Sequence, residues 1–425
     1  YDRISDSHHH ANRSPMIFAY YIFAAILILL SYRSLVGGFR YLAFFRKELA
    51  RPRSEYTPFV TVIAPCRGVD DGMHENLKAL FDQDFPEYEI IFVVDDESDP
   101  AVEMIDVATA KTALVRTGSD SDRVHVTSTL IVAPKAQDCS QKVENLREAV
   151  LHTNDRSQIF VFVDSDARPS SGWLRSLIAP LQDDEVGATT GYRWFISKAP
   201  NFASEMTSGW NASIASALGS NTGTNFGWGG SMAMRRDTFE RLEMRERWRG
   251  TLSDDFAVTR TMDDAKMPIV FVPQAMAATF ESCTFSEMLE FTTRQMKITR
   301  VYAPNLWLIS FIGSGLFNAV MLASFVIIII SRQNSFAVVA AMTTLVLVSA
   351  LSIGKAYLRL KAVRMALTKW NTELRRQTFS QLTLFLIAPA IFFYNSFAAW
   401  LSRRMTWRGT TYVLKSHRET VIIAD

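Results

Sequence analysis

Apolar positions divide the chain into membrane-grade stretches near its two ends and a mixed, periodic region between them. Met16 to Val36 reads MIFAYYIFAAILILLSYRSLV, long enough for a spanning helix if Arg33 snorkels to the interface. Three further apolar stretches follow at Leu306 to Ile330, Phe336 to Ile353 and Leu382 to Leu401. The first two of these form a tight helical hairpin around Ser331 to Ser335. The last carries Pro389 and Asn395, which suit either a spanning helix or a broken, re-entrant one.

In the middle the period changes. Pro58 to Pro65, Tyr88 to Val94 and Gln158 to Val163 are short continuous apolar runs, the pattern of strands buried on both faces, and His74 to Phe81 has helical spacing. Strands alternating with helices predict an α/β domain with a mainly parallel sheet. Ligands of such sheets bind beyond the carboxyl ends of strands, and the second and third runs both end in acids. No repeat of 20 to 50 residues interrupts the region, and Thr117 to Asp122 is too short for a linker, so one domain is expected.

Charge adds an orientation. Arg33, Arg40, Arg46, Lys47, Arg51 and Arg53 follow the first span, which places the middle region in the cytosol, and Lys355 to Arg376 returns there after the hairpin. Simple parity then sends the basic tail outside, so its side stays open. The expected layout is a polar tail over residues 1–15, a span over 16–36, the catalytic domain over 37–285 and an amphipathic interface helix over 286–305. Three spanning or re-entrant helices over 306–402 and a basic tail over 403–425 complete it.

Composition excludes more than it identifies. The 425 residues exceed what one core usually supports, and 45 Lys+Arg against 43 Asp+Glu give nucleic acid no purchase through charge. Cys66, Cys139 and Cys283 match no metal or redox spacing and read as buried free thiols.

Four motifs carry chemistry. Asp164-Ser-Asp166 stands directly after an apolar strand, where two carboxylates can hold a hard cation such as Mg²⁺ or Mn²⁺ together with substrate phosphates. Asp95 and Asp96, in DDESD after another strand, are placed to accept hydrogen bonds from a nucleoside. Asp254 and Asp255 offer a general base for an acceptor hydroxyl. Phe285 to Tyr302 sets Phe285, Met288, Leu289, Met296 and Val301 among Arg294, Lys297 and Arg300, an amphipathic helix suited to a membrane interface or a diphosphate.

In this order DDESD, DSD, SDD and R-Q-M-K-I resemble the motifs of family 2 and family 21 glycosyltransferases, and the architecture resembles the ceramide glucosyltransferases among them. The resemblance implies a GT-A fold, a Rossmann-like α/β catalytic domain with a mainly parallel sheet, combined with transmembrane helices. It assigns Asp95, Asp96, Lys142, Asn145 and Asp164 to the donor nucleotide, Asp164 and Asp166 to a divalent metal, and Asp255 to catalysis beside Asp254. Trp228, Gly229 and Gly230, with Arg294, Gln295 and Lys297, go to the acceptor and diphosphate. It further implies an inverting transfer of a hexose, with UDP-glucose as favoured donor, to a lipid acceptor at the bilayer. One departure stands out: Lys297 and Ile298 replace the Arg-Trp that ends the family's last motif, losing a bidentate fork and an aromatic face. A processive polysaccharide synthase of the same fold is the alternative, disfavoured because four spans are few for a channel. A catalytically silent scaffold is disfavoured by the complete acidic set.

Overall fold

The computed structural model describes residues 4–115, 125–331 and 334–424. Thr117 to Asp122 lies outside them, as do two residues of the turn between Ser331 and Ser335.

Ten strands build the middle region: β1 Val60–Pro65, β2 Glu87–Val94, β3 His125–Val132, β4 Ile159–Phe162, β5 Ala167–Arg168, β6 Ala188–Thr190, β7 Arg193–Ser197, β8 Met232–Arg235, β9 Ile269–Phe271 and β10 Ala277–Glu281. Seven form one sheet in the order β3-β2-β1-β4-β8-β6-β9. The first four are mutually parallel; β8 runs antiparallel to β4 and β6, and β9 is parallel to β6. The smaller sheet, β5-β10-β7, stands beside them. The expected α/β domain with a mainly parallel sheet is therefore present.

Period-2 alternation inside the apolar runs feeds two cores. Val60, Val62 and Ala64 of β1 and Ile90, Phe92 and Val94 of β2 enter one, while Ile63, Ile91 and Val93 enter the other. Burial on both sides explains why these strands read as continuous apolar runs.

The N-terminal helix runs unbroken over Ile4–Leu49, with Pro15–Leu49 apolar enough to cross a membrane, so it extends thirteen residues past the expected end at Val36. Its last turns are not a linker: Tyr41, Leu42 and Phe45 enter the catalytic core together with Leu360 and Val363 from the helix Ser335–Ala366. Pro304–Ile330 and Ser335–Ala366 are the other two helices that qualify as spans. Tyr20, Leu27, Val320, Met321, Ala341 and Val348 hold the three together, and the Tyr20 hydroxyl lies 2.8 Å from Ser324 Oγ.

The fourth apolar stretch is broken. Thr378–Leu386 and Ala388–Leu401 meet at 58°, and Pro389 sits in the first turn of the second helix, where it needs no hydrogen bond. Both ends of this pair lie against the catalytic domain. At the start, the Gln377 side chain donates to the Phe195 carbonyl at 3.1 Å; at the end, the chain enters β11 Arg404–Trp407, β12 Thr410–Ser416 and β13 Glu419–Ala424, an antiparallel sheet. Met405, Tyr412 and Leu414 of that sheet pack on Leu252, Ile298 and Tyr302. The basic tail is thus folded against the α/β domain, and the bent pair has the geometry of a broken span or a re-entrant loop.

The helix Phe285–Tyr302 is capped by Thr284, whose hydroxyl accepts from the Glu287 amide while the Glu287 carboxylate accepts from the Thr284 amide. Its apolar side is covered by protein: Met288 packs on Met206 and Ile391, and Met296 on Trp210 and Ala399. All three cysteines are buried and free.

Candidate active site

The acids stand where the strands end. β4 delivers Val163 to the core and Asp164 and Asp166 to the rim. Facing them, the helix Gln141–Ala149 is N-capped by Ser140, which accepts from the Val143 amide at 3.2 Å, and its first turn presents Lys142. The Lys142 ammonium donates to Asp164 Oδ1 at 2.7 Å and approaches Asp254 Oδ1 at 3.1 Å. Burial alone would push this lysine down, but the carboxylates of Asp164, Asp254 and Asp255 outweigh it and its pKa is raised.

Asp254 and Asp255 open the helix Asp254–Ala265, whose lead-in is pinned by the Leu252 amide donating to the Tyr302 hydroxyl at 2.7 Å. The two acids differ. Asp254 is buried, its Oδ2 has no hydrogen-bond partner among the described residues, and burial pushes its pKa up to about 6 against the pull of Lys142. Asp255 is half-buried and lines the cavity described below; its Oδ1 accepts from Ser253 Oγ and from the Phe256 amide, while its Oδ2 makes no hydrogen bond among the described residues.

Gly229 is required by this packing, since a Cβ there would lie 2.2 Å from Asp254 Oδ2 and 2.9 Å from Lys142 Nζ. The turn carrying it is fixed by the Trp228 amide donating to Thr190 Oγ1 at 3.0 Å, and Gly230 lies against the Trp228 ring.

Asp166 pairs with Arg193 at 3.2 Å, yet its other oxygen is buried without a partner, and burial pushes its pKa up to about 6 although Arg193 opposes this. Asp164 moves the other way: burial would raise it, but Lys142 and Arg193 hold it below the usual carboxylate range. Arg294 lies with its guanidinium 5.6 Å from the Trp407 ring, and burial lowers its pKa to about 10, with Arg193 and Arg408 adding to the effect.

A cavity of about 1160 Å³ joins these groups. Its polar end is lined by Lys142, Asp164, Trp228, Asp254, Asp255, Arg294 and Gln295, and its other end by Leu27, Leu30, Leu306, Ile309 and Phe317 of the spanning helices.

Other sequence-derived candidates lie elsewhere. Asp95 and Asp96 form their own cluster at the end of β2, 2.9 and 3.7 Å from Lys135 Nζ. Asn145 is buried and accepts from Gln141 Nε2 at 2.9 Å, a helix-internal contact away from the cavity lining. Lys297 donates to the Arg404 carbonyl at 2.6 Å, tying the helix to the C-terminal sheet, so the Lys-for-Arg departure coincides with a different task. Sequence reasoning missed Arg193, Lys135 and Trp407. None belongs to a local motif; only the crossing of β7, β3 and β11 with the strand ends brings them in.

The sequence profile of glycosyl transferase family 21 matches residues 26–420. The chain belongs to this family. A ceramide glucosyltransferase from Komagataella phaffii is 33% identical over 81 residues, 19% of this family 21 chain and 15% of that protein's length. Among solved structures, a mannosyltransferase from Pyrobaculum calidifontis in complex with GDP-Man and Mn²⁺ covers 88% of this chain and 99% of its own, at 19% identity and a TM-score of 0.40. Glucosyl-3-phosphoglycerate synthase from Mycobacterium tuberculosis, in complex with Mn²⁺ and UDP-glucose, covers 57% and 78% at 13% identity and a TM-score of 0.33. The protein is a membrane-associated glycosyltransferase of family 21, and its Lys142, Asp164, Asp254, Asp255 and Arg294 converge on one cavity.

Proposed function

We propose that this family 21 enzyme transfers a hexose, with glucose from UDP-glucose as favoured donor, to the hydroxyl of a lipid held at the membrane interface, with inversion at the anomeric carbon. The observation that carries the reading is the continuity of the cavity: an acidic and cationic end next to Asp255, and an apolar end walled by membrane-spanning helices. A lipid acceptor fits both ends at once, tail among Leu30, Leu306 and Phe317, hydroxyl toward the acids. The match to a ceramide glucosyltransferase over 81 residues agrees with this.

The residues fit a divalent cation, Mg²⁺ or Mn²⁺. Asp166 offers a buried oxygen without a partner, Asp164 lies beside it, and among the described residues no group of three or more His, Cys, Asp or Glu forms a complete protein cage. Two carboxylates with open positions suit an ion that shares its remaining ligands with a diphosphate. When bound, the ion neutralises charge on the departing diphosphate.

The protein's own groups do the rest. Asp95 and Asp96 accept from the nucleoside, and Lys142 and Arg294 supply cations for the diphosphate. Trp228 and the Gly229-Gly230 turn let the sugar approach backbone. Asp255 takes the acceptor proton through its uncommitted oxygen, while Asp254 holds Lys142 in place. The cationic flank of the first span supports a cytosolic position for this machinery. Nucleotide release by purified enzyme in a defined bilayer tests the reading: release should rise when lipids bearing a free hydroxyl are added, and lipid-independent release at the same rate would contradict it.

A further inference from the structure

The C-terminal sheet approaches the donor site with the tip of a hairpin. β11 and β12 pair antiparallel from Arg404↔Val413 to Trp407↔Thr410, which leaves only Arg408 and Gly409 in the turn. Both have positive φ, 51° and 88°. Such a two-residue turn favours Asn, Asp or Gly at its first position, because a larger L-residue is strained there. An arginine in that place brings no benefit to the turn itself.

Its side chain points at the acids. One nitrogen, Nη2, donates to both oxygens of Asp70 at 2.6 and 2.7 Å, in the loop that follows β1. Nε and Nη1 make no hydrogen bond among the described residues. The guanidinium also feels Asp166 and Glu281, and Asp164 feels it in turn. The Asp70 contact is a weak anchor, since the Arg408 side chain is 44% exposed and such pairs are screened by solvent.

A second observation points to an anion. Arg193 and Arg294 both lie over the Phe291 ring, at 5.6 and 5.5 Å, Arg193 and Arg408 both repel Arg294, and Arg294 is half-buried with no ion-pair partner among the described residues. Three guanidiniums converging beside two strand-end acids leave a surplus of donors. A diphosphate with its cation would use the acids and the guanidiniums together.

We infer that the C-terminal hairpin is part of the donor site and that Arg408 is a ligand of the donor's diphosphate, transferring from Asp70 to phosphate oxygen when the nucleotide binds. This rests on the nucleotide-sugar reading above, while Arg408 itself lies outside its motifs. The hairpin turn acts as the donor-site closure, and its strained arginine is the contact that senses the second phosphate.

The test compares the full chain with its Arg408→Gly and Arg408→Lys variants, reconstituted in lipid with Mn²⁺ and titrated with UDP, UMP, GDP and GMP. Glycine suits a positive φ, so Arg408→Gly removes the guanidinium without straining the turn. Its melting temperature should equal or exceed that of the parent. The parent's preference for diphosphate over monophosphate should shrink by about tenfold or more in Arg408→Gly, with monophosphate affinity unchanged. Arg408→Lys should fall between. An undiminished preference in Arg408→Gly overturns the inference, as does a lowered melting temperature with nucleotide affinity intact, which would make Arg408 a structural tether to Asp70. Failure of the uridine reading appears separately, as a parent that prefers GDP to UDP.

Discussion

Lys142 Nζ lies 2.7 Å from Asp164 and 3.1 Å from Asp254, so a single half-buried lysine links the acid at the end of β4 to the acid that opens the helix Asp254–Ala265. The strand-end and helix-start carboxylates are thereby locked into one unit. Replacing Lys142 by Met leaves the buried Asp254 and the half-buried Asp164 close together without their cation, a destabilising change because one side of an enclosed pair is removed. Thermal unfolding of Lys142→Met should shift clearly downward and turnover should be lost; parental stability would mean the pair is solvated.

Asp166→Ala should behave differently. It removes one oxygen that has no hydrogen-bond partner among the described residues and one that pairs with Arg193, so stability should fall less than in Lys142→Met while metal-dependent nucleotide binding disappears. Asp164→Ala should weaken the same binding and, by stripping Lys142 of its closest partner, lower stability as well. Isothermal titration with and without Mn²⁺ separates the two variants, and retained metal-dependent binding by Asp166→Ala would remove it from the metal site.

The two acids of the Ser253-Asp254-Asp255 motif give a paired prediction. Asp255→Asn should keep donor affinity and cut turnover by about 10² to 10⁴, the usual contribution of a positioned base. Asp254→Asn should chiefly disturb Lys142 and donor binding. Pre-steady-state kinetics with nucleotide affinity measured in parallel distinguishes them. If Asp255→Asn turns over near the parental rate and Asp254→Asn does not, Asp254, whose pKa is pushed up to about 6 by burial, is the base.

The folded tail predicts a topology. Cysteines introduced at Lys415 in β12 and at the exposed Asp184 of the catalytic domain should be labelled from the same side of the membrane, the cytosolic one. The native thiols are buried and give little background. Labelling from opposite sides would require Ala388–Leu401 and its partner to cross.

Much of this was legible in the sequence because it is local. Continuous apolar runs marked β1, β2 and β4 to within two residues, two of them by the acids that follow, and Asp164, Asp254, Asp255 and Arg294 line the same cavity. What was illegible is tertiary. Arg193 and Trp407 come from strands with no distinguishing pattern, and Asn145 shares a helix with Lys142 but faces Gln141 inward. The tail looked merely basic, although Met405, Tyr412 and Leu414 and the Arg408-Gly409 turn already spelled a hairpin with one apolar face. Its place against the α/β domain followed only once that face was seen packed on Ile298 and Tyr302.

The central claim is that sugar passes from a nucleotide to a lipid hydroxyl in the cavity between the acids and the spanning helices. The most direct measurement is mass spectrometry of lipids extracted after incubating purified enzyme in bilayers with Mn²⁺ and a panel of UDP- and GDP-sugars. The account predicts a lipid whose mass has grown by one hexose, formed with UDP-glucose, dependent on Asp255 and stopping at a single addition. Sugar recovered only as free hexose or as a water-soluble polymer, with the lipid fraction unchanged, would contradict it.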